Sequence, residues 1–229
     1  MVEKKKELEK KETKEDNKNS SSGKELYWVL GIMVGLIAVF LISSYYFQGQ
    51  QNFEYHGLDF SKQMLGEIQL YEYHYFSNSV NRITGQVIGE PRLVKVYLRG
   101  DPRKNDVPVD GKINIVSDTV YVSINGTGLD CEDSNIALAG LSSFLTQNGV
   151  HLQGAVVDSE EALEYDLEQV TCETYPDSTV IVVQSGDKPF IQTKNNCYIL
   201  QISDCDVLST TEKFIVQSII DARERAQQS

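Results

Sequence analysis

The chain has 229 residues, enough for one medium domain with appendages and too few for two large ones. Its net charge is −12; residues 1–25 hold eight Lys against seven Asp/Glu, which leaves 13 basic and 26 acidic residues, or −13, on the rest. A surface of that sign repels phosphate, whose binding needs clustered Lys and Arg, so the expectation is no nucleic-acid partner.

Residues 1–25 (MVEKKKELEKKETKEDNKNSSSGKE) have almost no apolar content, which predicts a disordered tail. Glu/Lys pairs four apart favour a short helix over Glu3–Glu15, but it has nothing to bury. From Leu26 to Phe47 the chain reads LYWVLGIMVGLIAVFLISSYYF, without a charge. About 20 apolar residues at ~1.5 Å each cross a ~30 Å hydrocarbon core, so residues 26–47 are expected to be a transmembrane helix. Tyr27 and Trp28 stand at one end and Tyr45, Tyr46 and Phe47 at the other, where amphipathic rings meet the head groups. The apolar run is longer than a signal-peptide core and no small-x-small site follows it, so retention is expected. Gly31 and Gly35 set a GxxxG spacing, a close-packing face for a weak homodimer.

Basic residues set the orientation. Eight Lys precede the helix, and only Lys62 and Arg82 occur in the forty or so residues after it. The positive-inside rule therefore puts the N-terminus in the cytoplasm and the remainder outside the cell. Residues 48–57 (QGQQNFEYHG) read as a linker. The segment 58–115 reads as β-rich: Ile68–Phe76, Gln86–Ile88 and Leu93–Arg99 carry β-favouring residues, and RGDPRKNDVPVDGK is loop.

Residues 116–229 alternate strand and helix. Thr119–Ile124 reads as a strand, and a helix capped at Asp133 or Ser134 runs to Gln147. Val150–Val157 is the next strand, followed by the acidic helix SEEALEYDLEQ. Thr179–Gln184 and Phe190–Thr193 flank SGDK as a hairpin, and Cys197–Ile202 is a further strand. A C-terminal helix follows, with Ser209 and Glu212 as its capping box. The order is βαβαβββα, an α/β (α+β) exterior domain with a mixed sheet.

Cys131, Cys172, Cys197 and Cys205 all lie on the exterior side, an even count that suggests two disulfides with three connectivities open. Cys131 and Cys205 each follow a strand and precede a helix, at one end of the sheet; Cys172 and Cys197 each precede a strand, at the other. Cys197 and Cys205 are separated by a whole strand, too far for a bridge. These placements favour 131–205 with 172–197. No CxxC or His spacing accompanies them, so neither a metal nor a cofactor is expected.

Cys131 also starts the run Cys-Glu-Asp-Ser134 at a helix N-terminus after a strand. In that position a thiol is acidified by the helix dipole. The order from 119 to 193 resembles the thioredoxin-like fold, which stands a CxxC or CxxS here and implies Cys131 as a nucleophile. The sequence departs from that family: it has no second Cys, two acids lie inside the motif, and the nearest proline, Pro176, stands three residues before Thr179.

Other candidates read more simply as structure. His56, His74 and His151 show no ligand spacing, and Asp158 to Glu168 form a solvated acidic face. Asp101, Asp106 and Asp110 share a loop that does not match an EF-hand. Arg99-Gly100-Asp101 spells an adhesion tripeptide by chance, and Gly126-Thr127-Gly128 is a turn. Asn125-Gly126-Thr127 is a glycosylation sequon on the exterior side. The tail, anchor and small disulfide-bearing domain together resemble uncharacterised membrane-anchored surface proteins of archaea, a likeness that implies no activity. The expectation is a non-enzymatic exterior module for binding or envelope assembly with a protein partner at the cell surface; the alternative is a membrane-tethered thiol–disulfide protein using Cys131.

Overall fold

A computed structural model of the chain describes residues 22–49, 51–80, 87–115, 117–126 and 131–228. The expected tail therefore lies outside the described residues up to position 21, as do the side chains of Tyr45, Tyr46 and Phe47. The chain divides into two compact units, residues 1–51 and 52–229.

The first unit is one helix, α1 (Ser22–Gly49). Its stretch Leu26–Ser44 has a mean hydropathy of 2.4 over 19 residues, long and apolar enough to cross a membrane. Side chains from Leu26 to Ile42 are all exposed, and no atom stands within 4 Å of where a Cβ on Gly31 or Gly35 would lie. An apolar helix with no polar face has nothing to gain from water on any side.

The second unit is α+β. Strands β1 (Asn52–Tyr55), β2 (Leu58–Leu65), β3 (Ile68–Val80) and β4 (Val87–Leu98) form an antiparallel meander in the order 1-2-3-4. The β1–β2 turn places His56 and Gly57 at φ 50° and 76°, the two positive-φ positions that let a two-residue hairpin follow the strand twist. Alternation puts Leu58, Phe60, Val94, Val96 and Leu98 on the buried face.

The larger sheet holds β5 (Val109–Asp110), β6 (Thr119–Ile124), β7 (His151–Val156), β8 (Glu168–Gln169), β9 (Thr179–Ser185), β10 (Phe190–Lys194) and β11 (Cys197–Ile202), in the order 5-10-11-9-6-7-8. It is mixed: β11, β9, β6, β7 and β8 run parallel, and β10 runs antiparallel to β11. Helices α2 (Ser134–Gln147), α3 (Ser159–Tyr165) and α4 (Val207–Gln228) complete the unit. One core joins both sheets, with Phe60, Leu98, Leu141, Ile181, Tyr198 and Phe214 in a single cluster. Ala155, Val170, Val180 and Val182 form a second cluster, so β9 contributes to both; this is why Thr179–Val183 reads as a continuous buried run rather than an alternating one.

Four expectations are corrected in detail. Residues 52–57 are not linker but β1 and its turn, because Phe53 stacks on Phe60 at 5.6 Å and ties the segment to β2. The two strands expected around Gln86–Ile88 and Leu93–Arg99 are one, β4, with a register shift opposite Ser77 and Ser79 that accommodates Pro91. SGDK does not make a hairpin: β11 lies between β9 and β10, and the tight turn is Asn195-Asn196, with Asn195 at φ 55°. The pairing thus differs from the hairpin on which the thioredoxin-like resemblance drew. Finally, α4 begins at Val207, so Ser209 and Glu212 lie inside it rather than as a capping box.

Candidate functional site

Four separated segments enclose a groove of about 740 Å3 in the 52–229 unit: β3, the chain after β5, the end of α2, and α4. Small-molecule sites span roughly 300–1,000 Å3, so its size suits a compact ligand. The floor is apolar. Ile113 is 1 % exposed, and Phe144, Leu145 and Ile219 are buried beside it. Tyr73 and Tyr75, on one face of β3 by its two-residue period, stack as one wall with ring centroids 5.7 Å apart. The Tyr75 hydroxyl donates to Asn148 Oδ1 at 2.7 Å, and burial pushes its pKa up to about 12, against the opposing influence of that bond. It is a neutral phenol throughout the physiological range.

Most polar groups in the groove are already engaged. Ser218 Oγ donates to the Phe214 carbonyl at 2.7 Å, and Arg225 Nη1 donates to the Ile113 carbonyl at 2.8 Å. Arg223 is the charged group that is not: its exposed guanidinium has no hydrogen bond or ion pair among the described residues. It stands over Gly57, where a Cβ would come within 3.1 Å of Nη1; the free guanidinium can give way there, so it is the φ of this turn position that calls for glycine. Its charge reaches Tyr73, whose pKa is raised chiefly by burial while Arg223 acts in the lowering direction.

The most strongly perturbed acid lies elsewhere. Glu212, 6 % exposed on α4, accepts the backbone N–H of Arg99 at Oε1 (2.5 Å) and of Gly100 at Oε2 (3.0 Å). Desolvation raises its pKa to about 7, despite the lowering effect of those two bonds. Perturbed acids often mark active sites. Here, however, the adjoining cavity is about 10 Å3, the scale of one water and too small for a substrate. Glu212 fastens the end of β4 to α4. Arg99-Gly100-Asp101 is accordingly bound into the fold: two of its amides hold Glu212, and Asp101 Oδ1 accepts the Arg103 N–H at 3.1 Å.

The cysteines are joined as Cys131–Cys205 and Cys172–Cys197, with Cα separations of 5.6 and 5.5 Å. Cys131 immediately precedes the turn into α2 and Cys205 lies within the turn into α4, so the first bridge ties two helix starts at the carboxyl end of the parallel strands. Asp204 and Cys205 both adopt positive φ, 51° and 60°, to make that approach. The second bridge pins the loop before β9 to the head of β11. Cys131 is therefore not a thiol here, and among the described residues no cysteine is free.

Asn125 follows β6 and is half-buried, its N–H donating to the Val183 carbonyl at 2.9 Å; Thr127 of its sequon and the turn Gly126-Thr127-Gly128 beyond Gly126 lie outside the described residues. His56, His74 and His151 are exposed and apart. Among the described residues no group of three or more His, Cys, Asp or Glu is placed to hold a metal. The groove and the Glu212 fastening were not expected from sequence; a lone unpaired Arg223 four residues after Ile219 carries no motif. No protein-family model, curated protein or solved structure matches the chain.

Proposed function

We propose that the chain is a membrane-anchored extracytoplasmic binding module without catalytic activity of its own, held by residues 26–47 with its N-terminus in the cytoplasm. The observation that carries this reading is that both cysteine pairs are bonded in the unit that follows α1, whose stretch Leu26–Ser44 carries no charge. Disulfides persist in oxidising compartments outside the cytoplasm, and the lysine asymmetry across the helix supports the same direction. Binding rather than catalysis fits the groove, because its charged groups among the described residues are two guanidiniums, which hold acids but supply neither nucleophile nor base. Gly31 and Gly35 support a weak homodimer through α1, and the Asn125 sequon on the exterior side is the proposed glycosylation site. A protein partner at the cell surface, or a role in envelope assembly, is compatible with the same topology.

The test is a topology measurement on the full chain in cells. Protease added outside should degrade residues beyond the membrane helix and spare an N-terminal tag. A membrane-impermeant maleimide should label nothing before reduction and the four cysteines after it. A protected C-terminal unit, or a free thiol at Cys131 in the native protein, would overturn the proposal. Crosslinking of α1 that persists in G31L/G35L would refute the dimer face alone.

A further inference from the structure

The groove departs from the surface around it in charge. The chain carries 33 Asp and Glu against 21 Lys and Arg, yet among the described residues the groove is lined by two arginines and no carboxylate. Arg225 is committed to the Ile113 carbonyl, which leaves Arg223 as a cation at the mouth of an apolar cleft. A guanidinium presents a planar fork of donors matched to the two oxygens of a carboxylate or phosphate, and beside a low-dielectric wall such a pair strengthens.

We propose that this groove binds a small apolar molecule bearing one acidic group, its body against Tyr73, Phe144 and Ile219 and its carboxylate or phosphate on Arg223. The inference rests on the binding-module reading and names the chemistry of its ligand. The pieces are complementary in kind: stacked rings and a buried aliphatic floor take the apolar body, and the polar groups on the floor are already bonded inward and ask nothing of it. The acid finds a guanidinium that makes no bond within the described residues. A cation is disfavoured by both arginines, and a neutral apolar molecule leaves Arg223 without a partner.

The test uses the full chain in lipid nanodiscs, with empty nanodiscs as baseline, titrated calorimetrically with 2-naphthoate and 1-naphthyl phosphate. Saturable one-to-one binding of either is expected, with the uncharged 2-naphthamide at least about tenfold weaker. R223Q, which removes a charge from an exposed residue with no internal bond, should weaken the acid at least about tenfold and leave the amide unchanged. A222W, on the exposed edge of α4, should fill the groove and abolish both. Far-UV circular dichroism and the melting temperature serve as fold controls for both variants. Absence of saturation with either acid, or equal affinity in R223Q or A222W, overturns the proposal. A chain that is inserted and disulfide-bonded as proposed but binds neither acid refutes the groove inference and leaves the topology reading standing.

Discussion

Replacing Glu212 by Gln should remove a pH dependence of stability that the wild-type chain shows between about pH 4.5 and pH 7. The carboxyl is 6 % exposed, and its pKa rises from the ordinary 4.5 to about 7 on folding, desolvation being the main cause. Because the folded value lies above the unfolded one, the protonated form favours folding. The contribution is fully present below about pH 4.5 and is lost as pH rises through about 7. The difference between those limits is about 3 kcal/mol, with a slope near 1.4 kcal/mol per pH unit in between. Urea unfolding of the full chain in nanodiscs, followed by far-UV circular dichroism at pH 5, 6, 7 and 8, measures it. Glutamine cannot titrate, and its amide nitrogen would face the Arg99 or Gly100 N–H, so E212Q should lie below wild type by about 1–3 kcal/mol at pH 5 and converge on it, or cross, by pH 8. The acids with lowered pKa, Asp101 and Glu224, act below this window and are common to both proteins. Parallel stability curves for the two proteins would refute the reasoning, and a wild type that gains stability relative to E212Q as pH rises would show that the two amides outweigh desolvation.

Two further measurements probe the core and the bridges. Tyr198 is fully buried and its hydroxyl accepts the Asn114 N–H at 2.9 Å while donating to the Asn114 carbonyl at 2.8 Å, so Y198F should lower the unfolding free energy by about 1–2 kcal/mol, and the urea midpoint with it, without changing the slope; an unchanged midpoint would mean that water replaces both bonds. The 131–205 bridge closes a sequence separation of 74 and the 172–197 bridge one of 25, for which loop entropy gives about 4.5 and about 3.5 kcal/mol; C131S/C205S should therefore cost more than C172S/C197S, and the reverse order would contradict a chain-entropy origin.

The larger sheet was legible because its buried parallel strands are short runs of β-branched residues between turn signals, as in TVYVSI and TVIVV, and because α2 starts and stops at its expected residues. The cysteine placement draws on the same source: strand-then-helix and turn-then-strand positions lie at opposite sheet ends whatever the strand order, and both cysteine pairs stand at disulfide distance. What escaped was pairing partner rather than element. SGDK has the composition of a hairpin turn, but whether β9 and β10 pair depends on which strand fills the space between them, and β11 does. β1 hid in a polar stretch because only Phe53 and Tyr55 of its four residues turn inward. Glu212 satisfies a capping motif by spacing alone, and burial at a distant loop end is invisible to spacing. The groove was illegible for the same reason: its walls come from residues separated by more than a hundred positions.

The larger sheet closes at both borders with strands of two residues, Val109–Asp110 after Pro108 and Glu168–Gln169. A border that short offers a neighbouring chain almost no ladder of free amides and carbonyls to zip onto. Pro91, in the register shift of β4, interrupts the long outer strand of the meander in the same sense. Under the membrane anchoring proposed above, copies would meet often in two dimensions, and such blunted margins would let them crowd side by side without fusing into a shared sheet.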